Sequence, residues 1–269
     1  MDLELLKAII LGVVQGLTEF LPISSSGHLV IVSHLLHFQQ QGIAFDVFVH
    51  LGTLLAVIVV FRRDILLMVR APFAALTGSA DEENSRYLLW DLYVVLATLP
   101  AVAVGLLLKD SIESIFTSTL TVYSMLVVTG CAMILARYLP ERAETLNCPR
   151  ALGMGFAQAL AILPGLSRSG STIFVGMALG VNREVVARFS FIMSIPAILG
   201  AVVLQVGDLI SAPPSLDSSV QIGAGLVASA LSGYFAIILL LDIIRRNRLH
   251  WFGYYCLIVS AIGFFVTFS

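Results

Sequence analysis

Few side chains in this sequence could do chemistry, and those few fall in two short runs. The first holds Gln15 and Glu19, followed closely by Ser24-Ser25-Ser26-Gly27-His28. The second is Ser167-Arg168-Ser169-Gly170. A spacing of four puts Gln15 and Glu19 on one face of a helix. A carboxylate beside hydroxyls and an imidazole can serve as a general base. Ser25 or His28 can then act as nucleophile, or merely position a water. Arg168 offers a planar fork of donors that matches phosphate oxygens and stays charged. Both Ser/Gly turns open onto a helix N-terminus, where free N–H groups attract anions. The turn residues Ser24, Ser26, Gly27, Ser167, Ser169 and Gly170 are therefore expected to line a bound substrate. With Arg168, such donors can hold the charge of a transition state. The inventory suits phosphoryl chemistry, provided the two runs meet.

The elements that must position these residues are those of a membrane protein. Of 269 residues, 58% are apolar and 12% are charged, against roughly 45–50% and about 25% in a soluble domain. This composition argues against a soluble enzyme or a disordered chain. A net charge of −2 offers no basic face to nucleic acid. Long apolar runs, in place of short alternating ones, argue against a β-barrel. Crossing the hydrocarbon takes about 20 apolar residues, and six stretches qualify: 44–61, 87–108, 120–139, 186–207, 220–241 and 251–268. The expected fold is an all-α polytopic membrane protein. Two further apolar stretches, 5–36 and 151–180, are too long for one crossing. Each is broken at its centre by the polar, Gly- and Pro-containing run that carries the chemistry. Irregular backbone at membrane depth is tolerated only inside protein or against a wet cavity. Each stretch therefore predicts a re-entrant helix hairpin.

The two hairpins also align with each other. A shift of 143 residues carries Gly12 onto Gly155, Gln15 onto Gln158 and Leu17 onto Leu160. It carries Ser24-Ser25-Ser26-Gly27 onto Ser167-Arg168-Ser169-Gly170, Ala44 onto Ala187 and Phe48 onto Phe191. A single integral-membrane domain, 1–269, thus divides into repeat A, 1–140, and repeat B, 150–269. Each repeat is a re-entrant hairpin plus three crossings. An odd number of crossings inverts the second copy. Loop charges agree. Arg62, Arg63, Arg70, Arg86, Arg142, Arg150, Arg183, Arg188, Arg245, Arg246 and Arg248 all fall on one side when the six crossings are threaded. The positive-inside rule makes that side cytoplasmic. Both termini then lie outside, the first hairpin enters from outside and the second from inside. Segment 64–76 is expected to lie along the cytoplasmic interface, and 77–86 to be a solvated loop. Cys131, Cys148 and Cys256 are too scattered for a disulfide framework or a metal knuckle. The start, Met1-Asp2-Leu3-Glu4, lacks the basic region of a cleavable signal.

The run from Gln15 to His28 resembles the N-terminal signature of the undecaprenyl-diphosphate phosphatase family, the bacitracin-resistance membrane phosphatases. The run from Pro164 to Gly170 resembles the family's second signature, and length and duplicated layout match over the whole chain. The resemblance implies hydrolysis of undecaprenyl diphosphate to undecaprenyl phosphate and inorganic phosphate. That reaction recycles the lipid carrier for peptidoglycan and other wall polymers and confers bacitracin resistance. It implies a multi-pass protein of the bacterial cytoplasmic (inner) membrane, with a site open to the external, periplasmic side. By motif position, Glu19 is the principal acid or base and Gln15 the first position of a Glu/Gln-x-x-x-Glu pattern. Ser25 is the nucleophile or a water-positioning hydroxyl, and His28 and Arg168 engage the diphosphate. Mg²⁺ or Ca²⁺ is associated with the family, and no organic cofactor is. Many members carry Glu where this chain has Gln15, which weakens a metal site built on two carboxylates. A site shared with substrate oxygens is the most to be expected, since Mg²⁺ keeps several waters. The expected partners are a polyprenyl diphosphate and the bilayer. Oligomeric state is not legible, and a homodimer is compatible with the sequence.

Other readings stand beside these. Discontinuous helices in inverted repeats also build transporters, so a transporter or polyprenyl-phosphate flippase is the alternative function. Glu19 and Arg168 can form a structural ion pair, and the turn serines can cap helices. Asp46 and His50, four apart in the first crossing, are candidates to line the cavity, with a local hydrogen bond the favoured reading. Gln158 reads as a relic of duplication, and His34, His37 and His250 as structural. Gly176, Gly180, Gly200, Gly223 and Gly225 are expected to permit close helix contact. Trp251, Tyr254 and Tyr255 fit an interfacial aromatic belt.

Overall fold

The computed structural model describes residues 3–38, 43–79, 81–107, 119–140, 142, 145–211 and 216–268. Every regular element longer than one residue among them is helical. In chain order these are α1 (Leu3–Phe20), α2 (Ser25–Leu35), α3 (Ile43–Val60), α4 (Arg62–Leu76), α5 (Glu82–Leu107) and α6 (Thr119–Leu135). A short 3₁₀ turn, Ala136–Tyr138, follows. Then come α7 (Cys148–Leu160), α8 (Arg168–Ala178), α9 (Arg183–Ser211), α10 (Leu216–Arg245) and α11 (His250–Phe268).

The six expected crossings fall on α3, α5, α6, α9, α10 and α11. Five of these, all but α3, contain stretches long and apolar enough to cross a membrane unaided. The sixth, α3, meets α4 at a bend of 79°. Large apolar side chains such as Leu99, Leu231, Phe235 and Phe265 point outward, as lipid-facing residues must. The bend swings α4 away from α3, the direction an interfacial helix needs. It exposes Leu66, Val69, Phe73 and Leu76 and buries Asp64. That buried carboxylate accepts from the Tyr87 hydroxyl (2.8 Å) and lies 3.5 Å from Arg188. The loop expected over 77–86 is shorter than expected. The α5 helix begins at Glu82, because Asp81 Oδ1 accepts from the backbone N–H of Asn84 (2.7 Å) and so caps it.

The breaks in the two long apolar stretches are real turns. The α1 helix packs back on α2, and α7 packs back on α8. Each hairpin is anchored in the other half of the chain. The α1 helix lies along α10 and α7 along α5, so the partners interchange under the 143-residue shift. The contact needs small residues. A Cβ at Gly12 would strike the Gly225 carbonyl, and one at Gly155 would strike the Ala97 carbonyl. At Gly16 it would strike the Ser232 hydroxyl and the Ser229 carbonyl. Gly200 and Gly223 correct the sequence reading: a Cβ there would meet nothing within 4 Å. Gly180 sits at positive φ (84°) in the turn after α8, so it ends a helix. The core runs between the halves. Phe191 of α9 packs on Phe20 and Phe61, with ring centroids 5.6 and 5.7 Å away, and all three are buried.

Candidate active site

The first hairpin turn is tight and strained. The Ile23 N–H donates to the Leu21 carbonyl at 2.7 Å. Ser24 follows at φ 68°, a region an L-residue enters at a cost. It stands at the cap position of α2, yet its side chain makes no cap hydrogen bond. Its carbonyl instead takes the N–H of His28 (3.3 Å) and faces His28 Nδ1 (2.8 Å). The next hydroxyl, Ser25 Oγ, donates to Glu19 Oε2 at 2.7 Å. Glu19 sits near the end of α1 and is buried. Gln15, one turn earlier and fully buried, donates from Nε2 to the same Oε2 at 3.0 Å.

The second turn is built differently. Gly165 adopts φ 92°, and a Cβ there would collide with the Val122 carbonyl. Ser167 is a regular N-cap: its Oγ accepts from the Gly170 N–H at 3.2 Å. Its own N–H donates to Thr129 Oγ1 at 3.0 Å. Thr129 lies ten residues into α6, about 15 Å along the helix, so the turn is held deep in the bundle. Arg168 opens α8 and reaches Glu19 Oε1 at 2.5 Å.

The two runs therefore meet, on a single carboxylate. Ser25 occupies one oxygen and Arg168 the other. Ser169 Oγ reaches the Leu21 carbonyl (3.4 Å), and a Cβ on Gly170 would lie 3.1 Å from Pro22. Ser167, Ser169 and Gly170 thus sit in the seam where the second turn docks on the first, and Ser167 and Ser169 are buried there. Gly27 faces Val122. Ser24 and Ser26 lie with their hydroxyls 3.4 Å apart.

His28 lies apart from the carboxylate. Its ring stacks on Tyr255, and Nε2 lies 2.7 Å from the Tyr255 hydroxyl. The Ser24 carbonyl can only accept, so Nδ1 carries the hydrogen of neutral His28. Nε2 is then the acceptor and Tyr255 the donor. Both ring nitrogens are engaged. Tyr255, expected in an aromatic belt, remains partly exposed and in addition packs against His28, a contact its sequence position does not announce. Its neighbour Cys256 is buried against the same turn, 3.7 Å from the Pro22 carbonyl. Thr129 was missed altogether, since one threonine in an apolar span has no motif around it. His50 makes the local bond expected of it and also reaches toward Glu19. Its local bond runs from Nδ1 to the backbone carbonyl of Asp46 (2.7 Å), and Nε2 lies 3.8 Å from Glu19 Oε2.

The donor set does not fit a resident divalent cation. Among the described residues no three His, Cys, Asp or Glu side chains group as a metal would need. Glu19 is the carboxylate at the turns, and a guanidinium already covers one of its oxygens. One buried oxygen, Gln15 Oε1, has no partner among the described residues, and alone it makes no cage.

Fold and site together define a polytopic helical membrane protein with a carboxylate–hydroxyl–guanidinium centre at two packed turns. Comparison with known sequences gives the family. The chain belongs to the bacitracin resistance protein BacA family, whose model matches residues 8–262. It is 42% identical over 268 residues to a protein of Rubrobacter xylanophilus named undecaprenyl-diphosphatase, covering 97% of each chain. Proteins with the same name from Methanobrevibacter smithii and Korarchaeum cryptofilum are each 42% identical, over 275 and 262 residues. They cover 97% and 96% of this chain, and 97% of each relative.

Proposed function

We propose that this protein hydrolyses undecaprenyl diphosphate to undecaprenyl phosphate and inorganic phosphate, as its relatives' names state for them. One observation carries the chemistry: a hydroxyl and a guanidinium approach the two oxygens of one buried carboxylate. Glu19 Oε2 is placed to take the Ser25 proton, or that of a water held by Ser25. Gln15 fixes the carboxylate's orientation. Arg168 neutralises Glu19 in the resting site and turns to phosphate oxygens when the diphosphate enters. Both nitrogens of His28 are engaged, which disfavours a nucleophilic role, and a part in binding requires Nε2 to take a proton and exchange the Tyr255 hydroxyl for a diphosphate oxygen. The first turns of α2 and α8 add backbone donors. A divalent cation, if the reaction uses one, would come with the substrate and supply charge neutralisation there, with no resident cage at the turns.

The location follows the same reading. The second repeat is inverted, the protein sits in the cytoplasmic (inner) membrane, and the site opens outward to recycle carrier for wall synthesis and resist bacitracin. Labelling Ser26→Cys in intact cells tests the opening, and reaction with external reagent is expected. The flippase alternative gains nothing from the relatives' names.

The deciding measurement is phosphate release from a polyprenyl diphosphate by purified protein in detergent. Glu19→Gln and Arg168→Ala, with unchanged elution profiles, are expected to lower kcat at least about 100-fold. Full activity in Glu19→Gln removes the acid–base role. No release by well-folded wild type across chain lengths and cations moves the reading to lipid flipping.

A further inference from the structure

We propose that His50 is the proton outlet of this site. It takes from Glu19 the proton that the carboxylate removes from the nucleophile. The proposal rests on the phosphatase reading above.

His50 Nδ1 lies 2.7 Å from the Asp46 carbonyl, which only accepts, so Nδ1 carries the hydrogen. In neutral His50, Nε2 is then a bare lone pair. It faces Glu19 Oε2 across 3.8 Å. Two acceptors do not attract. The pair is favourable only with a proton on Nε2 or a donor such as water between them. Either arrangement connects Oε2 to Nε2.

The neighbouring groups leave His50 as the one able to take a proton. The same Oε2 receives the Ser25 hydroxyl, so proton entry and exit share one oxygen. Oε1 is covered by Arg168, whose guanidinium has no acceptor, and the Gln15 amide is not basic. The ionisable groups that the described residues place around His50 are Glu19 on α1, Arg168 on α8 beyond it and Asp46 one turn earlier on α3. The direction of transfer is set by burial. Glu19's side chain is 7% exposed and that of His50 is 36% exposed.

The step balances. The nucleophile oxygen bonds to the terminal phosphorus, the bridging P–O bond breaks, and its electron pair leaves on the lipid phosphate; with water as nucleophile this yields inorganic phosphate directly, and with Ser25 a water then displaces the serine oxygen, which takes back a proton. The nucleophile's proton passes to Glu19 Oε2 and then to His50 Nε2. The imidazolium loses it to water between turnovers.

The test uses the full-length protein, a polyprenyl diphosphate and phosphate release. His50→Ala is expected to lower kcat roughly 10- to 100-fold with KM unchanged, and added imidazole to restore a concentration-dependent part of it. Wild type is expected to show no such acceleration. His50→Gln, which donates to Glu19 but accepts no proton on nitrogen, is expected to stay slow and still elute as wild type does. Wild-type kcat in either variant overturns the outlet while leaving the phosphatase reading intact. So does a loss in His50→Ala that imidazole leaves unchanged. Inactive wild type overturns the phosphatase reading, and the outlet with it.

Discussion

Positions 25 and 168 are equivalent under the 143-residue shift, yet one is serine and the other arginine. They reach opposite oxygens of Glu19. The turns before them have diverged as well. Ser167 caps its helix at φ −71°, whereas Ser24 makes no cap bond and stands at φ 68°. Further back, Gln15 holds Glu19, while its counterpart Gln158 is buried with neither polar atom partnered among the described residues. The position equivalent to Glu19 is Ile162. One turn has kept the acid and the strain. The other supplies the cation and a rigid seat. Two turns that align in sequence thus contribute different groups to a single carboxylate.

This contrast can be broken at several points. The largest expected difference is between Gln15→Leu and Gln158→Leu. The first frees Glu19 and is expected to lower phosphate release about tenfold or more. The second removes a buried amide without partners, a change that is neutral or mildly stabilising, and activity is expected to hold. Equal losses in the two variants would mean that both glutamines support the site. A smaller effect is expected from Tyr255→Phe, which keeps the ring stacked on His28 and removes its donor. We expect a severalfold rise in KM with little change in kcat, since His28 is read as a binding group. A fall in kcat alone would give His28 a part in the chemical step. The smallest effect is on stability. Ser24→Gly relieves a positive φ and is expected to raise stability by about 1 kcal/mol, while Ser167→Ala loses a cap and is expected to cost about 1 kcal/mol. Thermal unfolding in detergent reads both, and the same sign in both would erase the asymmetry of the turns.

Much of this was legible in the sequence because the membrane imposes its own grammar. Apolar length fixed six crossings, and the polar breaks marked both hairpins. The fourfold spacing of Gln15 and Glu19, and the repeat that pairs Ser25 with Arg168, brought the reacting residues to one place on paper. What stayed hidden depends on helix rotation and depth. Tyr255 and Trp251 look alike in sequence, and only the register of α11 turns Tyr255 toward His28. His50 looked like a local partner of Asp46, because spacing along one helix cannot show which nitrogen faces another helix. Thr129 carries no signal until a turn from the other half arrives beside it. The seam role of Ser167 and Ser169 was likewise invisible, since a serine that lines a ligand and one that docks a turn share a sequence.

The glycine face of α1 has a consequence for how the protein is made. Glu19 rides on α1, and the helix that α1 lies against, α10, ends at Arg245, far later in the chain. At roughly 5–20 residues per second, the acid of the site waits on the order of ten seconds or longer for its own support. Arg168 is made partway through that interval, and the close backbone of α10 only at its end. The surroundings of this carboxylate are therefore complete only once α10 has been made, and a chain truncated before α10 would carry both signature motifs and still leave Glu19 unseated.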